Sequence, residues 1–234
     1  MHIFLRSLFI ETGGAFAVIY DSEALGYRRD ELMMELHKAI PFPGAFNIET
    51  DTRRKVELTL AQLADVTVMV SDAEGRFLAS QIQNKTLDTS VDIETIGHIT
   101  ETGENAINAA NFQNRSGILF LGAFHNMMYY NGDAIWYFLK ETFPLILQEN
   151  VMNLTIAGKG IPAALRRYAE SHDEISKHVQ FIESPADTAE LYKTTRVLLA
   201  PHLYAAGVQF KVRKRNLFIT IPGFHICFSW RHFC

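Results

Sequence analysis

Apolar positions along the first seventy residues alternate between strand spacing and helical spacing. Residues 15–20 form an apolar run of strand length, and residues 21–36 then place apolar side chains at helical spacing among charges. Residues 41–52 are rich in Pro, Gly and Asn, which predicts a loop. A second helix is predicted over 53–64, and a β-branched strand follows over 66–70. The chain therefore opens as an α/β domain.

The middle of the chain is more polar. Ser71 and Asp72 are residue types that cap the start of a helix, so a third helix is predicted after them. From about 80 to 115 the residues Gln, Asn, Thr and Gly are frequent, and a strand-like pattern occurs only over 93–99. This stretch predicts a connection between two domains.

The second half alternates regularly between apolar strands and helices. Near-continuous apolar strands separated by helices are typical of a parallel sheet covered on both faces, a Rossmann-like unit. Ligands in such sheets bind beyond the carboxyl ends of the strands, so candidate site residues follow each strand. Strands are predicted over 118–121, 154–157, 179–182 and 197–200, and helices over 133–147, 162–170 and 187–193.

Composition places the chain among globular proteins. Of its 234 residues, 48% are hydrophobic and 21% are charged, which excludes a disordered chain. The formal net charge is -4, so the molecule has no general electrostatic attraction to nucleic acid or to anionic lipid. Nucleic acid is not an expected partner, and any bound phosphate must be held by local groups.

Charge and cysteine are unevenly distributed. No Asp or Glu follows Glu190, and both cysteines, Cys227 and Cys234, lie at the end of the chain. A disulfide framework is therefore excluded for the bulk of the protein, and a reducing compartment is expected. The nine histidines form no H-E-x-x-H motif, so no metal site is predicted.

Neither end has the pattern of a targeting or membrane segment. Arg6 interrupts the apolar start and Glu11 ends it, so we expect no signal peptide. The apolar run 217–230 contains Pro222 and Gly223 and is shorter than the roughly 20 residues that cross a bilayer. No membrane-spanning helix is predicted.

Gly158, Gly160 and Ala163 match G-x-G-x-x-A between a predicted strand and a predicted helix. Glu183 ends the next strand, where it would reach a ribose hydroxyl of a dinucleotide. This pattern leaves a nicotinamide-dependent oxidoreductase open. It is also the pattern of an ordinary turn between a strand and a helix, which is the interpretation that we favour.

A second turn follows the last predicted strand. Residues 200–207 end in small residues at Gly207, and Lys211 comes four residues later. Exposed backbone amides and a nearby ammonium group would together hold a diphosphate. By spacing alone, a surface lysine after a loop is the more frequent arrangement, so both interpretations stay open at this point.

The second half contains four pieces in a specific order and spacing: 117–125, 131–139 with 143–146, 154–158, and a long run that includes 179–192, 196–201 and 206–211. These pieces resemble the donor-binding domain of group 1 glycosyltransferases, which have the two-Rossmann, or glycosyltransferase-B, fold. Residues 18–24 and 57–71 are similar to the last part of the acceptor domain of these enzymes, and residues 96–98 to the crossover before the hinge.

The resemblance implies an α/β fold of two Rossmann-like domains, the first incomplete and the second truncated at its C-terminal end. The implied boundaries are 1–100 for the acceptor-side domain, 101–115 for the connection, 116–212 for the donor domain and 213–234 for an atypical tail. Residues 214–234 lack Ala, Val, Asp and Glu but contain five Phe or Trp and both cysteines. A reading-frame shift is our hypothesis for this tail.

The resemblance also implies an activity: transfer of a sugar from a nucleotide-diphosphate-sugar donor to a glycan or lipid-linked acceptor, as in polysaccharide biosynthesis. No tightly bound cofactor or metal is implied, because cationic and amide groups would stabilise the leaving diphosphate. A cytoplasmic protein, associated peripherally with the inner membrane, is the implied localisation. The implied donor-binding residues are Gly122, His125, Glu183, His202, Tyr204, Gly207 and Lys211.

The resemblance supplies no complete catalytic set. The family's ribose-binding glutamate corresponds to Lys214, an earlier acid corresponds to Ala206, and His125 stands near the place of an arginine that many members carry. A non-catalytic truncated remnant is therefore the third hypothesis, beside the transferase and the oxidoreductase.

Overall fold

The described residues of the computed structural model form two compact units. The first unit contains 5–8, 17–35, 48–83, 91–97 and 206, and the second contains 36–43, 113–125 and 129–204. The predicted tail, Gly207 and Lys211 lie outside the described residues.

The first unit is built on a four-stranded sheet. Its strands are β1 (Leu5–Leu8), β2 (Ala17–Ser22), β3 (Val66–Met69) and β4 (Asp92–Thr95), in the spatial order β1-β2-β3-β4. Strands β2, β3 and β4 are parallel, and β1 pairs antiparallel with β2. Parallel neighbours need crossover connections, and the helices of this unit provide them.

Three helices follow β2 and β3: α1 (Gly26–Ala39), α2 (Thr50–Leu63) and α3 (Asp72–Gln83). The last four residues of α1, 36–39, belong to the second unit. The Glu74 carboxylate accepts the Leu25 amide, and that of Glu57 accepts the Tyr27 amide, so two acids satisfy backbone donors at the start of α1. The buried core contains Tyr20, Leu25, Tyr27, Leu58, Ala61, Met69, Leu78 and Ile82.

Two predictions in this unit are corrected. Helix α2 starts at Thr50, inside the stretch predicted as a loop over 41–52, because the Glu49 side chain accepts the Thr52 amide and caps the helix. The polar stretch 80–115 is not wholly a connection, because β4 lies in it and pairs with β3.

The second unit has a fully parallel sheet. Its strands are β5 (Ser116–Leu121), β6 (Leu154–Gly158), β7 (Val179–Glu183) and β8 (Thr195–Leu198), in the spatial order β7-β6-β5-β8. This is the Rossmann arrangement in which the chain builds outward from β5 in one direction and then returns to its other side. The sheet core includes Phe120, Leu154 and Ile156, none of which is exposed.

Helices cover this sheet. They are α4 (Asn131–Tyr137), a π-helical turn (Phe138–Thr142), α5 (Phe143–Glu149), α6 (Ala163–Glu170), α7 (Asp173–Ser176) and α8 (Ala189–Thr194). In the π-helical turn the Phe143 amide donates to the Phe138 carbonyl. Pro144 follows directly and has no amide hydrogen for a regular helical bond, so the irregular turn stands where regular bonding would be incomplete. Among the described helices, none is long and apolar enough to cross a membrane.

Candidate functional site at the carboxyl edge of the second sheet

The strand order of the second unit locates its candidate site. Strands β6 and β8 lie on opposite sides of β5, so the chain changes direction between β5 and β8. In open α/β sheets ligands bind at such a switch point, beyond the carboxyl ends of the two strands. The segments that meet there are 122–125 after β5 and 199–204 after β8.

Asn131 connects these two segments. Its Nδ2 donates to the Ala123 carbonyl at 2.7 Å, and its Oδ1 lies 2.8 Å from Nε2 of His202. The His202 ring also packs against the Tyr130 ring, with centroids 4.5 Å apart. His202 is therefore buried in the wall of the switch point, where it contacts the residues that start α4.

A second polar group surrounds the carboxylate of Asp133. Its Oδ2 accepts the Tyr204 hydroxyl at 2.8 Å and the Nε2 of His37 at 2.7 Å. His37 belongs to the described residues 36–43 of this same unit. The Tyr204 hydroxyl in turn accepts the Tyr130 amide at 2.6 Å. Tyr204 thus links the segment after β8 to the first turn of α4.

Burial affects the protonation of both Asp133 and Tyr204. It raises the pKa of Asp133, although the hydrogen bond and charge of His37 and the hydrogen bond from Tyr204 act in the opposite direction. Burial also raises the pKa of Tyr204, and the neighbouring Asp133 charge raises it further. The Tyr204 hydroxyl therefore keeps its proton at neutral pH and serves as a hydrogen-bond donor.

Two glycines let β5 and β6 approach each other at this edge. A Cβ on Gly158, which has φ +154°, would lie 1.7 Å from the Gly122 carbonyl oxygen. A Cβ on Gly122 would lie 3.0 Å from the side-chain nitrogen Nδ2 of Asn131 and 3.1 Å from the Phe120 ring. The space beside the Gly122 Cα is thus filled by protein atoms, and its contact with a donor stays a prediction.

Among the described residues, three other than glycine have a positive φ, and all three lie in turns of the second unit. His125 has φ 56°, Tyr130 has φ 47° and Ser184 has φ 46°. Such conformations are disfavoured in residues with a Cβ and are concentrated at binding and catalytic sites. His125 is exposed in the segment after β5, so its side chain is accessible to a ligand at the switch point.

Glu183 accepts hydrogen bonds from the turn that carries the G-x-G-x-x-A pattern. Its carboxylate accepts the Gly160 amide at 2.6 Å and the Ile161 amide at 3.3 Å. Arg166 lies 3.3 Å from the same group. The Glu183 carboxylate is therefore bound to the backbone amides of the G-x-G-x-x-A turn itself, which supports an ordinary turn over a dinucleotide site. A contact between Glu183 and a sugar donor stays a prediction.

The hydrogen bonds between Glu183 and this turn make the stability of the second unit depend on pH. The hydrogen bond from Gly160, and then that from Ile161 and the contact with Arg166, lower the pKa of Glu183. Its contribution to stability is present above the ordinary carboxyl pKa and is lost as the pH falls through the lowered value. We expect Glu183→Gln to reduce the melting temperature at pH 7 and to flatten its decline in acid.

The measurement is a series of thermal melts between pH 7 and pH 3. Glu170→Gln, at an exposed position at the end of α6, is the matched control and should follow the wild-type curve. A Glu183→Gln curve parallel to that of the wild type would show that the turn amides gain nothing from the carboxylate.

Of the predicted donor-binding residues, the structure brings Gly122, His125, His202 and Tyr204 to the switch point and places Glu183 in the turn after β6. Gly207 and Lys211 lie outside the described residues. Sequence reasoning missed Asn131, Asp133 and His37 as polar contacts of this site. An Asn and an Asp in the first turn of a buried helix that follows a strand end were the available signal. Within the described part of the chain, no group of three His, Cys, Asp or Glu is placed to hold a metal ion.

Solved structures define the class of this fold as the two-Rossmann glycosyltransferase-B type. The second half carries a match to the family model of glycosyl transferases group 1, over residues 115–214. Both findings confirm the resemblance seen in the sequence.

Three solved structures carry the fold comparison. The pneumococcal O-GlcNAc transferase GtfA, solved with UDP and GlcNAc, is 15% identical with a TM-score of 0.52, and the alignment covers 70% of this chain and 30% of that one. Sucrose-phosphate synthase from Thermosynechococcus elongatus is 16% identical with a TM-score of 0.52, covering 79% and 44%. TarM is 13% identical with a TM-score of 0.53, covering 76% and 32%.

At these identities the comparison establishes the fold. The chain spans between 30% and 44% of the length of these three structures. A comparison with curated protein sequences gave no significant match.

Proposed function

We propose that this chain acts in glycosyl transfer and binds a nucleotide-diphosphate-sugar donor at the switch point of its second unit. The observation that carries the proposal is the meeting of the segments after β5 and β8 through Asn131, Asp133, His202 and Tyr204. It occurs within the residues that match the group 1 glycosyltransferase family. It also lies at the place where open parallel sheets bind nucleotides.

The proposed chemistry is stabilisation of a leaving diphosphate by cations and amides. The net charge of the protein is -4, so this stabilisation must come from groups at the site. Lys211 and the turn at Gly207 would supply an ammonium group and backbone amides to the diphosphate. His125, exposed after β5, is proposed to contact the donor as well. No tightly bound cofactor or metal forms part of this proposal.

The acceptor is proposed to be a glycan or a lipid-linked glycan, in the biosynthesis of a polysaccharide. Cytoplasmic location and peripheral association with the inner membrane are proposed with it. The support is the resemblance to group 1 enzymes, whose acceptors are often of this kind.

We expect the full chain to be stabilised against heat by UDP or GDP and by their sugar conjugates, and not by NAD. A ligand that binds only the folded state at a concentration of 100 times its Kd adds about 2.7 kcal/mol to the free energy of unfolding. The measurement is the shift in melting temperature with each ligand at increasing concentration. Stabilisation by NAD alone would support the oxidoreductase instead, and no response to any of these ligands would support a non-catalytic remnant.

Lys211→Ala tests the donor contact in the same experiment. We expect UDP binding to weaken by about 1–3 kcal/mol, the usual contribution of a charge-assisted hydrogen bond. Lys177→Ala removes the same charge from an exposed position just before β7, at the opposite edge of the sheet, and should bind UDP as the wild type does. Equal affinity of the Lys211→Ala protein and the wild type in calorimetry would remove Lys211 from the site.

A further inference from the structure

Burial of the Asp133 carboxylate reduces the stability of the second unit. It is 0% exposed, and both hydrogen bonds that it accepts, from Tyr204 and from His37, go to Oδ2. Its Oδ1 is also buried and has no hydrogen-bond partner among the described residues. A buried carboxylate oxygen without a partner destabilises a folded protein. This unpaired atom points to a role for the contacts that Oδ2 makes with Tyr204 and His37.

Through Tyr204, Asp133 is connected to Tyr130, a residue with a strained backbone. Its partner, the Tyr204 hydroxyl, holds the amide of Tyr130 at 2.6 Å. Tyr130 has φ 47° and ψ −79°, a conformation that is sparsely populated and strained in a residue with a side chain. A backbone in this conformation persists only where neighbouring groups hold it.

The conformation of Tyr130 sets the positions of the groups around it. Its ring packs on His202, with centroids 4.5 Å apart, and the next residue is Asn131. Asn131 bonds both to the Ala123 carbonyl after β5 and to His202 after β8. A change in the backbone at Tyr130 would therefore displace contacts in both segments that border the switch point.

We propose that Asp133 is a positioning residue: through the Tyr204 hydroxyl it holds the Tyr130 turn in the conformation in which the segments after β5 and β8 bind the donor. His37 donates to the same Oδ2 and so helps to fix the position of the carboxylate. This inference rests on the proposed function, since it assigns the residue that organises the same site.

The test compares Tyr204→Phe, Asp133→Leu, Asp133→Asn and the double variant Tyr204→Phe/Asp133→Leu in the full chain. UDP affinity is measured by calorimetry at a temperature at which every variant is folded. Tyr204→Phe and Asp133→Leu should each raise the Kd about fivefold to tenfold, since each removes one buried hydrogen-bonding partner from the chain of contacts. The double variant should be no weaker than the weaker single variant, because both changes break the same connection.

Asp133→Asn is the conservative variant. Its amide oxygen still accepts the Tyr204 hydroxyl, so its affinity for UDP should lie closer to that of the wild type than the affinity of Asp133→Leu does. Tyr27→Phe is the matched control for the removal of a buried hydroxyl, since the Tyr27 hydroxyl is buried in the first unit without a partner among the described residues. It should bind UDP with unchanged affinity.

Hydrogen exchange at the Tyr130 amide provides a readout that does not depend on UDP. We expect faster exchange there in Tyr204→Phe and in Asp133→Leu, and no change in Tyr27→Phe. Variants that melt at a lower temperature but keep both the UDP affinity and the slow exchange would reduce Asp133 to a structural residue and overturn the inference. Additive losses in the double variant would also overturn it.

The two proposals fail in different ways. A wild-type chain that binds neither UDP nor GDP contradicts the proposed function, and the positioning role falls with it. A wild-type chain that binds UDP while Tyr204→Phe and Asp133→Leu bind it equally well contradicts the positioning role alone.

Discussion

Gly158→Ala should destabilise the second unit by about 2–6 kcal/mol. The new methyl group would meet the Gly122 carbonyl oxygen at 1.7 Å, and this oxygen belongs to the backbone and cannot rotate away. Overpacking of this kind costs about 1–3 kcal/mol, and the left-handed φ of +154° adds about 1–3 kcal/mol of strain. Since domains are stable by only about 5–15 kcal/mol, the variant would lose a large part of its stability.

The measurement is urea unfolding followed by the fluorescence of Trp136, which packs against the core of this unit. Gly75→Ala is the control: its methyl group would meet the Ile93 side chain at 3.3 Å, and its φ lies outside the left-handed region. Alanine is also more favourable than glycine within a helix by about 1 kcal/mol, so we expect only a small net change in the free energy of unfolding. Similar midpoints for the two variants would mean that β5 and β6 separate without penalty.

Phe143→Ala should cost about 3–5 kcal/mol, the usual range for an aromatic side chain lost from a core. Phe143 is 0% exposed, and its ring centroid lies 5.9 Å from that of Phe138. It is the first residue of α5, directly after the π-helical turn. Its loss would therefore leave a cavity where these two segments meet.

Leu145→Ala is the control for this change. It lies two residues further along the same helix and is 59% exposed, so it should alter stability by no more than about 0.5 kcal/mol. Both variants are followed by urea unfolding. A loss at Leu145 as large as that at Phe143 would contradict the placement of the core on this helix.

Much of the fold was accessible from the sequence because each element carries its own periodicity. The four predicted strands of the second half all lie within or next to β5, β6, β7 and β8, and their apolar runs are long enough to identify a buried parallel sheet. Strand β1 was missed, and β4 gave only a brief strand-like pattern in a stretch otherwise predicted as a connection, because four-residue strands in mixed surroundings give little periodic pattern.

The site was less accessible, since its contacts join distant parts of the chain. Tyr204 and Asp133 are 71 residues apart, and His37 and Asp133 are 96 residues apart. No local spacing encodes such pairs; they follow from strand order and from the path of the chain into the second unit. Glu183 illustrates the reverse case, because its position at a strand end was predicted while its partner, the Gly160 amide, depends on how the neighbouring turn folds.

The π-helical turn at Phe138–Thr142 changes how the long helical stretch 131–149 relates to its own sequence. Successive residues of an α-helix are about 100° apart around the axis, so one additional residue in a turn rotates everything after it by about that angle. Ile135 before the turn, Leu139 within it and Phe143 after it are all buried in one core. On an uninterrupted α-helix Ile135 and Phe143 would lie about 80° apart around the axis, and the additional residue reduces this to about 20°. The π-helical turn thus brings apolar positions eight residues apart almost into line along the core.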